Sequence, residues 1–231
     1  MAIALAQAGA DVVAVARSSA ADTVASIAKL GRRAYEVSAN LADKGSAAAV
    51  IDAALLQAGR IDILVNNAGV IKRADAIDFS EADWDITLDI NLKAPFFLAQ
   101  AAARAMLRQG GGPNKGKIVN IVSMLSFQGG IRTASYTASK SALAGITRLL
   151  ANEWAAKGIN VNAIAPGYFA TNNTTALRAD EQRNNDILSR IPAARWGQPS
   201  DLGGAVVFLS SAASDYVHGT ILPVDGGWLA R

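Results

Sequence analysis

A tyrosine and a lysine four residues apart, Tyr136 and Lys140, are the side chains of this sequence best suited to move a proton. On a helix, positions i and i+4 lie one above the other on one face. A phenol ordinarily ionises at about pH 10, too high for a base near neutrality, and a neighbouring ammonium favours the phenolate. Such a pair suits proton exchange with an alcohol or a ketone while a nicotinamide carries the hydride. Ser123 stands thirteen residues before Tyr136, directly after the apolar run KIVNIV. Its hydroxyl can orient a carbonyl oxygen and stabilise negative charge developing there. Asn91, in DINLKAPFF, is a polar residue in an apolar helical segment and suits holding a water that links Lys140 to solvent. Taken alone, a tyrosine and a lysine at this spacing are most often an ordinary helix pair. The neighbouring motifs decide otherwise.

Composition removes several competing chemistries. The chain has no cysteine, which excludes disulfides, thiol catalysis and cysteine-ligated metals. His218 is the single histidine, so histidine-cluster metal sites and serine–histidine hydrolysis are excluded, and His218 itself reads as a surface residue. The net charge of +3 is spread along the chain, with no basic stripe for nucleic acid. No stretch reaches the ~18–20 apolar residues of a membrane span. The opening MAIALAQAGA has no basic leader and reads as an amphipathic helix ending at Gly9. A soluble, cytoplasmic protein is expected, with no metal, no nucleic-acid partner and no membrane.

The elements that must position these residues alternate in type. With 51% apolar residues, the 231-residue chain suits a single domain over 1–231. Short β-branched runs at 11–16, 34–37, 61–65, 117–122, 160–164 and 221–224 predict strands. Longer segments at 20–30, 44–58, 81–109, 133–157 and 199–210 predict helices. Nearly continuous apolar strands such as IDILV and KIVNIV are those of a parallel sheet covered on both faces. The fold class is therefore α/β, a doubly wound, Rossmann-like parallel sheet. Ser123 then falls at the carboxyl edge of the sheet, where such folds bind ligands. The glycine-rich stretch 110–116 reads as a turn before a strand. No G-x-G-x-x-G follows a strand, so the domain reads as N-terminally incomplete, lacking the first strand and the phosphate-cradling loop. That expectation implies weak cofactor binding by the chain as it stands.

NNAG at 66–69, INLKAPFF, IVNIVSMLS, SYTASK and INVNAIAPGYFAT follow one another in order. As a set they resemble the short-chain dehydrogenase/reductase family over essentially the whole chain. The resemblance implies that Asn91, Ser123, Tyr136 and Lys140 form a catalytic tetrad. It implies cofactor contacts from Asn67, Ala68 and Gly69, from Asn40 and Leu41 near the adenine, and from Pro166, Gly167 and Thr171 near the nicotinamide, with Tyr136 and Lys140 at its ribose. NAD-preferring members usually place an acidic residue where this chain has Ala16, followed by Arg17 and Ser18. A neutral residue and an arginine accept a 2′-phosphate, so NADP(H) is favoured over NAD(H). Asn40 stands where members often carry aspartate.

SMLSFQGGIRTASYTASK, LANEWAAKGINVNAIAPGYFATNNT, LRADEQR and VDGGWLAR resemble the branch acting on deoxy-sugar acids of the 2-deoxy-D-gluconate and 2-dehydro-3-deoxy-D-gluconate type. An anionic sugar acid needs a cation and hydroxyl partners. Arg132 is the leading candidate, with Arg73, Asn172, Asn173 and Arg178 beside it. The resemblance also implies a homotetramer, supported by an apolar tail at 221–229. Trp154, Trp196 and Trp228 read as packing or subunit-contact aromatics. A 3-oxoacyl or general carbonyl reductase of the same family stays open, as does a non-catalytic remnant or interaction module.

Overall fold

The computed structural model describes residues 1–109 and 112–231, so Gly110 and Gly111 of the expected turn lie outside the described residues. Among the described residues the strands are β1 (Val12–Ala16), β2 (Ala34–Ser38), β3 (Ile63–Asn66), β4 (Gly116–Ile121), β5 (Ile159–Pro166) and β6 (Ile221–Val224). All pairings are parallel: β1 with β2, and β3–β4–β5–β6 in that order. The helices are α1 (Ala2–Gln7), α2 (Ala21–Ala28), α3 (Ser46–Ala58), α4 (Glu81–Leu88), α5 (Ala94–Arg108), α6 (Ala134–Trp154), α7 (Thr175–Ala179), α8 (Glu181–Arg190) and α9 (Gly203–Ser210).

Alternate residues of β4 and β5 face opposite layers, which is what winds the sheet doubly. Ile118, Ile159 and Val161 pack against Leu98, Ala102 and Met106 of α5 and Val50 of α3. Val119, Ile121 and Ile164 pack instead against Leu5 of α1 and Val206 and Leu209 of α9. Each fully buried leucine or isoleucine contributes roughly 1.5–3 kcal/mol, so these two layers fix the register of the central strands. The expected parallel α/β architecture is present, with each strand within two residues of its expected bounds at either end.

The sheet is interrupted between β1 and β3, which share no ladder. This is the place where the sequence pattern leaves room for a further strand. Val15 keeps 39% of its surface exposed, and Ile63, Leu64 and Val65 are only half-buried. By contrast β4 is buried throughout, and β5 up to its last residue.

One expected element is corrected. The helix expected over 81–109 is three pieces: α4, a π-helical turn at Asp89–Lys93, and α5. Ser80 caps α4 by accepting from the Asp83 amide at 3.2 Å. Pro95 has no N–H to give the carbonyl of Asn91 four residues back, so regular α-geometry cannot continue there. Helices α7 and α8 were not expected. Asp180 caps α8 by accepting from the Arg183 amide at 3.0 Å, and only Ile187 of that helix is buried.

Candidate active site

Ser123 follows β4 directly and is buried. Its Oγ accepts from the Leu125 amide at 3.2 Å, which caps a short 3-10 turn at Met124–Ser126. Two further hydroxyls tie that turn to α6. Ser126 Oγ donates to the Lys140 carbonyl at 2.8 Å, and Ser141 Oγ donates to the Leu125 carbonyl at 3.1 Å. Tyr136 lies in the first turn of α6, half-buried, with Ser123 near enough to act on its phenol. Burial raises the phenol's pKa above 10.0; the Ser123 hydrogen bond and then the charge of Arg73 pull it back down. The lowering charge expected from Lys140 is thus supplied by Arg73. Lys140 Nζ lies 5.7 Å from the Tyr136 ring centroid and donates to the Ile121 carbonyl at 2.7 Å. Its side chain is buried, and desolvation lowers its pKa from 10.5 to about 8.

Asn91 is fully buried within the π-turn. Its Oδ1 accepts from the Val70 amide at 2.8 Å, and its Nδ2 donates to the Val70 carbonyl at 2.8 Å and to Ser139 Oγ at 3.2 Å. Both amide hydrogens are therefore spent on protein. In this structure the side chain forms a bracket that holds the turn after β3 against α6. Gly69 sits within that bracket. A Cβ added there would come 3.3 Å from Asn91 Oδ1, tight enough that the amide must give, and 3.7 Å from Lys140 Nζ, an ordinary contact.

The other residues expected at the cofactor lie at the carboxyl ends of the strands. Ala16 ends β1 and Arg17 follows it, exposed. Asn40 and Leu41 lie just past β2; Asn40 Nδ2 donates to Asp43 Oδ1 at 2.8 Å and its Oδ1 accepts from the Ala42 amide at 3.3 Å. Asn67, Ala68 and Gly69 form an exposed turn after β3. Pro166 ends β5, and Gly167 and Thr171 follow. An exposed glycine turn beside a buried ammonium suits a nicotinamide ribose, and Arg17 suits a phosphate at the far end, so this donor set fits a dinucleotide.

The residues expected at the substrate separate into two kinds. Arg73 Nη2 donates to the Asn173 carbonyl at 3.4 Å, and its charge reaches the Tyr136 phenol. Asn172 and Asn173 are exposed in a 3-10 turn, and Arg178 Nη2 donates to the Thr171 carbonyl at 3.3 Å. Arg132, the leading candidate from sequence, has a left-handed backbone at φ 60° and an ion pair from Nε to Asp75 Oδ1 at 3.2 Å. That pair is exposed, and Arg73 is the guanidinium whose charge reaches the phenol.

The segment that carries α7 and α8 is anchored by aromatics. The Tyr168 ring meets Trp196 at 5.6 Å and Trp228 at 4.8 Å, both edge-on. Trp196 Nε1 donates to Asn184 Oδ1 at 2.8 Å, and Trp228 Nε1 donates to Gln128 Oε1 at 3.2 Å. The Arg190 guanidinium lies 4.1 Å from the Trp228 ring centroid. Trp228 is buried within its own chain, so the apolar tail does not by itself require a partner subunit. Trp154 packs on the α5–α6 core and His218 is exposed.

Sequence reasoning missed the polar links beneath the site. Asn66 Nδ2 donates to Asn120 Oδ1 at 2.9 Å, and Asn120 Nδ2 donates to Thr147 Oγ1 at 2.9 Å, joining β3, β4 and α6. The signal was an asparagine inside each apolar strand run. Ser139, buried beside Lys140, was also missed. Among the described residues no three histidine, aspartate or glutamate side chains group as metal ligands, and no helix is long and apolar enough to cross a membrane.

Comparison with known proteins agrees with this geometry. A family model described as enoyl-(acyl carrier protein) reductase matches residues 1–229. The chain is 58% identical to 2-dehydro-3-deoxy-D-gluconate 5-dehydrogenase of Escherichia coli, over all of this chain and 90% of that protein. A solved structure from Agrobacterium tumefaciens, named for 2-deoxy-D-gluconate 3-dehydrogenase and holding NADP, is 58% identical with a TM-score of 0.90, covering 100% of this chain and 90% of that one. Gluconate 5-dehydrogenase of Burkholderia cenocepacia, solved with NADP and tartrate, is 40% identical with a TM-score of 0.93, covering 100% and 89%. The strand-end serine, the tyrosine–lysine pair on one helix and these matches lead to one conclusion: the chain belongs to the short-chain dehydrogenase/reductase family of NAD(P)-dependent oxidoreductases.

Proposed function

We propose that this protein interconverts a hydroxyl and a ketone on a deoxy-sugar acid of the 2-dehydro-3-deoxy-D-gluconate type, with NADP(H) favoured over NAD(H). The observation that carries the reading is Tyr136 set beside the strand-end Ser123, with the buried Lys140 ammonium 5.7 Å from its ring centroid. A bound nicotinamide dinucleotide supplies the hydride acceptor or donor. Ser123 orients the reacting oxygen. Tyr136 takes the hydroxyl proton in the oxidising direction and returns it to the ketone oxygen in the reducing direction. Lys140, whose ammonium lies by the Tyr136 ring, would hold a hydroxyl of the nicotinamide ribose when the cofactor is bound. Asn91 keeps the turn at 67–70 in place against α6.

Arg73 is the residue we assign to the substrate carboxylate. Its guanidinium has one long bond to a backbone carbonyl and lies near the proton donor. Asn172, Asn173 and Arg178 stand in the segment that faces it. The relatives named for sugar acids support this substrate class. For the cofactor, support comes from Arg17 directly after a strand that ends in a neutral residue, and from the NADP held by two related structures. A homotetramer fits the exposed Phe97 and Leu107 on α5 and Leu149 on α6, an apolar face that self-association would cover.

The test is a substrate panel with NADPH and NADH, comparing 5-keto and 3-keto sugar acids with 3-oxoacyl thioesters. A preference for sugar acids with NADPH is expected. Preference for thioesters would defeat the sugar-acid reading. Arg17→Asp should lower the NADPH to NADH ratio of kcat/KM; an unchanged ratio would remove Arg17 from cofactor choice.

A further inference from the structure

Ser139 has no part in the proton transfer itself, yet it is completely buried one position before Lys140. Its Oγ donates to the Tyr136 carbonyl at 2.8 Å and accepts from Asn91 Nδ2 at 3.2 Å. Asn91 in turn holds both backbone groups of Val70, each at 2.8 Å. Beside Val70 is Gly69, packed so near Asn91 Oδ1 and Lys140 Nζ that a single added carbon would touch both. One continuous path of bonds therefore runs from the turn after β3, through Asn91 and Ser139, to the backbone of the tyrosine.

We infer that Ser139 is a positioning residue: its hydroxyl fixes Asn91 and so sets the distance between the turn at Gly69–Val70 and the Tyr136 turn of α6. The inference rests on the reading of Tyr136 as the proton-transfer group. The Asn91 amide has two hydrogens, and Val70 can take only one. Without the serine oxygen the second is a buried donor with no partner, which costs more than an average hydrogen bond returns. The relief open to Asn91 is to move, and Val70 moves with it. Alanine at this position would leave the helix intact, because alanine is the best helix former. The loss would then fall on alignment, to which hydride and proton transfer are sensitive at the ångström level.

The test uses the full chain. Ser139→Ala is expected to lower kcat about tenfold, the factor that one net hydrogen bond is worth, with the substrate KM changed less than about threefold. The Val70 amide should exchange its hydrogen about tenfold faster, since its acceptor is no longer held. Ser139→Thr keeps the hydroxyl, and threonine in a helix can bond the i−3 carbonyl; both readouts should stay close to wild type. Unchanged exchange at Val70 in the alanine variant would overturn the assignment whatever the turnover. Faster exchange with wild-type kcat would overturn the catalytic part. A threonine variant behaving like alanine would also count against it, because the hydroxyl is what is credited. Should Ser139→Ala fail to fold, Ser139→Cys keeps the shape with a weaker donor and acceptor and must show the same two changes in smaller degree. The exchange measurement needs no substrate, so it stands even if Tyr136→Phe shows that the reading of the tyrosine is wrong.

Discussion

Replacing Lys140 by methionine is expected to make this protein more stable and almost inactive. The ammonium is 4% exposed, and desolvation alone brings its pKa from 10.5 to about 8. At ~1.4 kcal/mol for each tenfold change in proton affinity, keeping the charged form there costs about 3 kcal/mol at neutral pH. The bond to the Ile121 carbonyl, lost with the nitrogen, offsets about 1 kcal/mol of that. Methionine has similar length and no charge, so the net gain is about 2 kcal/mol, or about 4–8 °C in Tm for a domain of this size. The sign also sets the pH dependence. The folded pKa lies below the unfolded one, so the unfolded chain keeps its proton longer as pH rises. Wild-type stability therefore gains between about pH 8 and pH 10.5, and the advantage of the variant shrinks over that window. Urea unfolding of both proteins at about pH 7 and about pH 10 reads this directly. Turnover should fall ~10²–10⁴-fold. A variant no more stable at neutral pH, or a difference that ignores pH, would show that burial does not desolvate the ammonium to this degree.

Four further outcomes follow from the geometry. Tyr136→Phe should lower turnover at least ~100-fold while leaving NADPH binding, read by fluorescence titration, within about threefold. Arg73→Gln should raise the phenol's pKa, because its charge is one of the two influences that lower it, so the ionisation in the pH profile of alcohol oxidation moves to higher pH and the sugar-acid KM rises. Gly69→Ala should cut kcat about tenfold or more with under about 2 kcal/mol of lost stability, since its Cβ presses on the buried Asn91 amide and meets no apolar core side chain. Trp228→Ala should cost ~3–5 kcal/mol in urea unfolding, because the indole is buried and holds Tyr168, Arg190 and Gln128.

Much of this fold could be read in advance because its central strands are buried on both faces. Runs such as KIVNIV and INVNAIA carry apolar residues without alternation, the pattern of strands in a parallel sheet with helices on either side. Ser123 was legible for the same reason: it is the first residue beyond such a run. Tyr136 and Lys140 were legible from their spacing on one helical face. The break at Asp89–Lys93 was harder, because apolar residues recur at helical spacing on both sides of it. Pro95 was the available signal, since it denies Asn91 its helical donor. Helices α7 and α8 escaped notice because neither carries a buried apolar stripe: α7 is a short turn with no buried residue, only Ile187 of α8 is buried, and a cap rather than a stripe starts α8. The pairing of Arg132 with Asp75, far away along the chain, is a tertiary fact that no local pattern carries.

The bonds around the site also imply a division of labour. Lys140 to Ile121, Ser126 to Lys140 and Ser141 to Leu125 all lie within β4, the turn after it and the first half of α6. Asn91 adds the turn after β3 to the same body. The segment that carries Asn172, Asn173, Arg178 and helices α7 and α8 is held by Phe169, Ile187, Tyr168, Trp196 and Trp228, and that cluster reaches the first body through Met124. A hydrogen bond between it and the loop around Arg73 is the 3.4 Å contact at the Asn173 carbonyl, a long and weak one. The apolar seam of Met124, Ile187, Ile191 and Trp228 ties the two together beneath the site, whereas the polar positions of the segment lie outside it. Substitutions at those exposed polar positions should therefore alter which sugar acid is accepted, through KM, and leave the proton-transfer geometry alone. Arg73 is the exception, because it touches the segment through Asn173 and the phenol through its charge. At that residue alone, what the substrate carboxylate does and how readily Tyr136 gives up its proton become a single physical question.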